Sequence, residues 1–303
     1  MKKVLKWIGI ILGSLIILII IAASILVVKA NKSMKQTMDV TPENIIIPTD
    51  SASIARGEHF AFMCAHCHGP DLEGMKWFDD PSMGVMWTPN LTPGKGSATV
   101  SYTDADWVRS LRHGVNPQKK VLFVMPSTEI GKMSERDISC VIAYLKTLPP
   151  VDNEIGETEF TMLAKIFLGA GMFGDVFPAK VIDHDAPFVV APPEGPTEEY
   201  GGYLMGFLGC GGCHGKDLAG GKTGEPGAPL VINISPGGEM GKWTVEEFTL
   251  TIRTGQTPAG KKLDKKYMPW DAYLNMTDEE LTAVYNYLQA QPAAVQNEGK
   301  VNI

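Results

Sequence analysis

Along the chain, apolar and polar positions fall into three regimes. From Val4 to Val28 the residues are apolar almost without interruption, broken only by Lys6, Gly9, Gly13, Ser14 and Ser24. About 20 such residues cross a bilayer core, so this run predicts one transmembrane helix within residues 1–30. A cleaved signal peptide is the competing reading. Its apolar part usually spans about 7–15 residues, although Val28-Lys29-Ala30 resembles a small-residue cleavage site.

The second regime is a set of short helices with readable starts. Ser134 and Thr277 each stand three residues before a carboxylate, Asp137 and Glu280, and Thr103 and Thr244 stand before Asp106 and Glu247 in the same way. A hydroxyl followed at that spacing by an acid satisfies the free N–H groups of a first helical turn. The two closing helices run to Tyr144-Leu145 and Tyr287-Leu288 and are stopped by Pro149 and Pro292. The third regime, residues 152–196, carries Pro178, Pro187, Pro192, Pro193 and Pro196 and reads as a linker that packs on its neighbours. Within it, Phe160 to Phe177 is apolar but holds Lys165 and Asp175, which predicts a short helix resting on a domain or a membrane surface rather than a second span.

The helical segments repeat. His68-Gly69-Pro70-Asp71-Leu72-Glu73-Gly74 aligns with His214-Gly215-Lys216-Asp217-Leu218-Ala219-Gly220, and Asn90-Leu91-Thr92-Pro93-Gly94 with Asn233-Ile234-Ser235-Pro236-Gly237. Arg112 aligns with Arg253. Met125-Pro126 aligns with Met268-Pro269, each methionine lying 35 residues beyond its asparagine. Each unit is a helix, a long loop, a helix, a methionine loop and a closing helix, which predicts an all-α fold with little or no sheet.

Composition narrows the class. At 303 residues the chain has room for two ordinary domains and an anchor, and two modest cores are expected rather than one large one. Charged residues are 20% and hydrophobic ones 44%, so the chain is not disordered, while 32 Gly and 21 Pro suit long loops between short elements. A net charge of −7 leaves no basic excess for nucleic acid but leaves protein partners open.

Four of the five cysteines form Cys64-Ala65-His66-Cys67-His68 and Cys210-Gly211-Gly212-Cys213-His214. On one helical turn, thiols at i and i+3 reach the two vinyl groups of one haem, and the next residue, His, turns toward the iron. A zinc site would leave the histidine after each pair unexplained. A redox C-x-x-C would need a β-α-β setting, and a disulfide across two residues is strained. Met125 and Met268 are the candidate distal ligands, because His/Met ligation closes both axial positions and raises the potential. Cys140 reads as a small buried hydrophobe, and His59, His66, His113 and His184 as ordinary surface or turn residues.

The arrangement resembles class I cytochrome c domains. More narrowly, the runs TPNLTPG, SLRHGVNP, VMPS and YLKTLPPVDN resemble the cytochrome c subunits of membrane-bound alcohol, aldehyde and gluconate dehydrogenases. The resemblance implies two covalently bound haem c groups, one on Cys64, Cys67, His68 and Met125 and the other on Cys210, Cys213, His214 and Met268. The iron ligands would be His68, Met125, His214 and Met268. It implies tandem cytochrome c domains, placed at 51–151 and 197–295; the apolar run gives an anchor at 1–30, leaving a linker at 31–50 and a tail at 296–303. Those subunits typically carry three haems, whereas this chain has two motifs. The expected function is a non-catalytic relay of electrons between a dehydrogenase or quinol-oxidising donor and a terminal acceptor, with dihaem peroxidase chemistry as the alternative. Lysines flank the apolar run on both sides and do not set its orientation. Haem attachment of this kind is completed outside the cytoplasm, which places Met1 in the cytoplasm and the haem domains on the periplasmic side of the inner membrane.

Overall fold

The computed structural model describes residues 2–223, 227–299 and 301. Met1, and Lys300, Asn302 and Ile303 of the 296–303 tail, lie outside them. The chain is predominantly helical, as the repeat predicts. Helix α1 (Lys2–Met34) is long and apolar enough to cross a bilayer. The first repeat holds α2 (Ser51–His68), strands β1 (Lys76–Asp80) and β2 (Gly84–Trp87), α3 (Asp104–His113), the single turn α4 (Ser127–Ile130) and α5 (Glu135–Leu145). Strand β3 (Glu159–Phe160) and α6 (Met162–Ala170) lie in the interval between repeats. The second repeat holds α7 (Glu198–Leu208), α8 (Cys210–His214), α9 (Val245–Thr254), a 3-10 turn at Trp270–Tyr273 and α10 (Asp278–Ala290).

The hydroxyl residues start their helices as expected. Thr103, Thr244 and Thr277 form reciprocal capping boxes with Asp106, Glu247 and Glu280. Ser134 caps α5 by accepting from Asp137 N, but the Asp137 carboxylate does not return the bond and is used elsewhere.

Within each repeat the first and last helices cross through a glycine. A Cβ on Gly57 would stand 1.9 Å from the Cys140 carbonyl oxygen, and one on Gly201 would stand 1.9 Å from that of Ala283. Only a residue without a side chain lets the α2–α5 and α7–α10 backbones approach this closely. Cys140 is buried at that crossing, the packing role expected of it.

The expectation of two separate cores is corrected. One continuous cluster runs from Phe60, Trp107 and Ile142 to Leu204, Phe207 and Leu281. The repeats meet at α2, where Phe60 stacks edge-on against Phe207 with centroids 5.4 Å apart. Arg56 pairs with buried Asp137 at 2.5 Å and with Glu194 at 2.6 Å, and Asp137 also accepts from the Tyr203 hydroxyl. His59 reaches Glu280 at 2.8 Å.

Glu280 makes this seam sensitive to acid. Burial raises its carboxyl pKa, but hydrogen bonds from His59 and Thr277 outweigh that and hold it below the ordinary 4.5. A carboxyl depressed on folding contributes stability above its unfolded pKa and loses it as pH falls through the folded one. The thermal midpoint is therefore expected to drop as pH falls below about 4.5, and Glu280→Gln to flatten that limb in melting curves taken across pH.

A small antiparallel sheet, β1-β2-β3, adds to the helical expectation. Its hairpin turns where the Asp80 carboxylate accepts from Ser82 and Met83 N, and Gly84 takes a φ of +113° against the Glu159 carbonyl. The interval between repeats packs chiefly on the first one, with Asn153 Nδ2 donating to the carbonyls of Glu73 and Gly74. His184 is not a freely solvated turn residue: its Nδ1 lies 3.0 Å from His113 Nδ1, and its Nε2 bonds Ala179 O. His113 is buried and reaches Glu43 through Nε2 at 2.9 Å.

Candidate functional site

In the first repeat α2 runs unbroken through Cys64 and Cys67 to His68. In the second, Gly209 at φ +74° separates α7 from the single turn α8 that carries Cys210, Cys213 and His214. Both motifs thus lie on helical turns, with thiols on one side and the histidine at the end. Gly69 (φ +86°) and Gly215 (φ +80°) then reverse the chain. The next carbonyl-to-amide bonds match: Gly74 N donates to His68 O at 2.7 Å and Gly220 N to His214 O at 2.9 Å. Leu72 and Leu218, at φ 59° and 57°, share a left-handed conformation that leucine seldom adopts. The same strain at the same place in both repeats marks a loop shaped around something other than its own packing.

The histidines are held alike. His68 Nδ1 lies 2.9 Å from Pro89 O and His214 Nδ1 lies 2.9 Å from Ile232 O. A carbonyl only accepts, so Nδ1 carries the proton and Nε2 keeps its lone pair for a metal. Burial lowers both imidazole pKa values, opposed by those carbonyls, and keeps the rings in the neutral form that binds iron. Asn90 and Asn233 fasten the loop behind, donating from Nδ2 to Val151 O at 2.8 Å and to Ala294 O at 2.7 Å.

Each methionine precedes a proline in an inverse γ-turn. Pro126 has φ −78°, ψ 53° and Pro269 has φ −75°, ψ 59°; the amides of Ser127 and Trp270 return to Met125 O and Met268 O, each at 2.7 Å. Met125 is half-buried against the same core as Cys64. In the second repeat Cys210, Cys213, His214 and Met268 line one cavity of about 870 Å³, walled mostly by apolar residues such as Leu208, Ile234, Phe248 and Leu281. That size lies within the roughly 300–1,000 Å³ usual for cofactor clefts. Thr223 Oγ1 on its wall and Trp270 Nε1 beside the methionine turn are buried without a partner among the described residues. An apolar slot lined by a thioether, a neutral imidazole and the spare Thr223 hydroxyl fits a haem with carboxylate side groups.

The competing chemistries do not match this arrangement. No two of the five cysteines pair in a disulfide. Burial first, and then Cys67, pushes the Cys64 thiol up to about 12, and burial does the same to Cys210, whereas a redox-active C-x-x-C lowers its thiol pKa. The two pairs lie in separate repeats. Among the described residues no three His, Cys, Asp or Glu side chains gather to hold a metal ion.

Pro89, Ile232, Thr223 and Trp270 were not anticipated as parts of the site. The aligned asparagines, each directly after one of the two carbonyl-bearing residues, were the available signal.

Two such cradles in one chain make this a c-type cytochrome with two covalently bound haem c groups. The chain belongs to the cytochrome c family, whose profile matches residues 54–149 and 199–292. It is similar to the fructose dehydrogenase cytochrome subunit of Gluconobacter japonicus, 25% identical over 296 residues, covering 90% of this chain and 59% of that subunit. It is 28% identical over 271 residues to a dihaem c-type cytochrome of Cereibacter sphaeroides, covering 79% of this chain and 86% of the relative. The cytochrome c subunit of the quinone-dependent alcohol dehydrogenase of Gluconacetobacter polyoxogenes is 23% identical over 278 residues, with 82% and 58% covered. The chain thus spans just under three fifths of the length of the two dehydrogenase subunits.

Proposed function

We propose that this chain is a membrane-anchored dihaem relay. One haem would be held by Cys64, Cys67, His68 and Met125 in a domain at 51–151, the other by Cys210, Cys213, His214 and Met268 in a domain at 197–295. The observation that carries the reading is a matched pair of settings: each repeat ties a histidine through Nδ1 to a carbonyl and sets a methionine before a proline turn, and in the second repeat the two line one cavity. A six-coordinate iron exchanges electrons without binding substrate, and a thioether ligand raises its potential. The chain's own part is to hold both ligands rigidly and exclude water. A dihaem peroxidase would need one open iron, and none of the relatives named above is a peroxidase.

The route between haems follows the seam. Helix α2, which carries the first motif, packs against the Trp270–Tyr273 turn that follows Met268, and α4, after Met125, packs against α7, which leads to Cys210. Each methionine loop therefore leans on the other repeat's attachment helix, and an electron crosses within one continuous buried core.

Anchoring is supported by what α1 touches. Its last turns bury Ala30 and pack against α6, a contact that a cleaved leader would not keep. With haem attachment outside the cytoplasm, both domains lie on the periplasmic face, and the first, which packs on the segment after α1, is the membrane-proximal one. The relatives point to a dehydrogenase as donor. Purified gently from membranes, the chain is expected to bring a dehydrogenase catalytic subunit with it, and that enzyme's substrate should reduce both haems. A chain that isolates alone and oxidises a reduced donor with hydrogen peroxide would overturn the relay.

A further inference from the structure

Helix α6 is wedged between the anchor and the first domain. A Cβ on Gly169 would stand 2.1 Å from Leu26 O, so the two helices cross at backbone contact. Leu168 of α6 and Met34 of α1 both pack on a small cluster formed by Val40, Val115, Val121, Phe177 and Ala179. Thr161 caps α6 and Gly171, at φ +77°, ends it, so the element is a defined nine-residue helix, too short to cross a bilayer.

What it leaves uncovered is apolar. Met162 is 70% exposed and Met172 56%, with Leu163 and Phe173 beside them, and Lys165 is the only charge between Met162 and Gly174. On α1, Ile25 and Val28, near the crossing residue Leu26 in the same apolar run, are exposed as well. The crossing has a fixed depth. Leu26 lies two residues inside the end of the apolar run at Val28, about 3 Å at the helical rise, and so at the hydrocarbon boundary.

We propose that Met162–Phe173 is a second membrane contact, inserted into the outer leaflet beside α1. The proposal rests on reading α1 as a retained anchor. Lys165 is half-buried and can extend its ammonium to the headgroups while its stem stays apolar. Two contacts fix the first domain's orientation where one helix would let it swing. Strand β3 leads directly into α6 and pairs with β2, and Thr88, next after β2, donates its hydroxyl to Cys67 O at 2.7 Å. The insertion therefore holds the first haem's attachment helix to the membrane side.

The test uses the full-length haem-loaded chain in vesicles of phosphatidylethanolamine and phosphatidylglycerol. Single cysteines replace Met162, Met172, Ile25 or Val190, the last an 88% exposed linker residue. Four native cysteines are consumed in thioethers and Cys140 is buried. Soret absorption confirms that each variant carries its haems. Met162→Cys and Met172→Cys are expected to react with a charged, water-borne maleimide at least roughly tenfold more slowly than Val190→Cys, as Ile25→Cys does, because a thiol in the acyl region is withdrawn from water. Either position reacting at the Val190 rate while Ile25 stays protected overturns the second contact and leaves the anchor standing. Ile25→Cys also reacting at that rate overturns both.

Discussion

Met268→Ala is expected to leave the second haem attached but five-coordinate, open to carbon monoxide when reduced. Its potential should be lower by on the order of 100 mV, within the roughly 0.8 V range that axial ligands span. The attachment survives because Cys210, Cys213 and His214 lie on a separate helical turn. The loop survives because its hydrogen bond runs from Trp270 N to the backbone carbonyl at 268, which alanine keeps. What is lost is the Met268 thioether on the wall of the cavity, which Met205, Met240 and Met276 also line. Met125→Ala is expected to do the same to the first haem alone, so a redox titration of the two variants assigns each potential to its repeat. An unchanged reduced spectrum in both would show that the ligands lie elsewhere.

Asp137→Ala is expected to lower stability by about 3–5 kcal/mol, the usual cost of leaving a buried charge without its partner. Asp137 is wholly buried and receives Arg56 Nε on one oxygen and the Tyr203 hydroxyl on the other. That hydroxyl in turn accepts from Ser134 N at 2.9 Å. Alanine strands the Arg56 guanidinium against the Phe60 face with only the half-exposed Glu194 to balance it. Tyr203→Phe should cost less, about 1–3 kcal/mol, because it leaves the Ser134 amide unpaired rather than a charge. Urea unfolding of the single and double variants checks both values, and costs that fail to add show that the two act as one network across the seam.

Local features were legible because they obey local rules. The helix starts at Thr103, Ser134, Thr244 and Thr277, the stops before Pro149 and Pro292, and the attachment turns follow from spacing within a few residues. The repeat added the methionines, since a shared offset survives in sequence where a lone Met among 15 says little. The seam was not legible. Phe60 against Phe207, Arg56 against Asp137 and His59 against Glu280 join residues far apart in the chain that no periodicity links, so a core for each repeat was expected where the two repeats share one. The β1-β2 hairpin was missed because its strands are only five and four residues long, the first carries Lys76, Asp79 and Asp80, and Pro81 follows it directly. His184 looked solvated beside two aspartates, and only the fold of the linker brings it to His113.

The central claim is that both irons are closed by a histidine and a methionine and therefore carry electrons rather than bind substrate. Titrating the fully reduced native protein with carbon monoxide tests it most directly. The account predicts no change in the absorption of either haem over the range that saturates Met268→Ala. Carbon monoxide binding to one haem of the unaltered chain would show an open iron and contradict the relay.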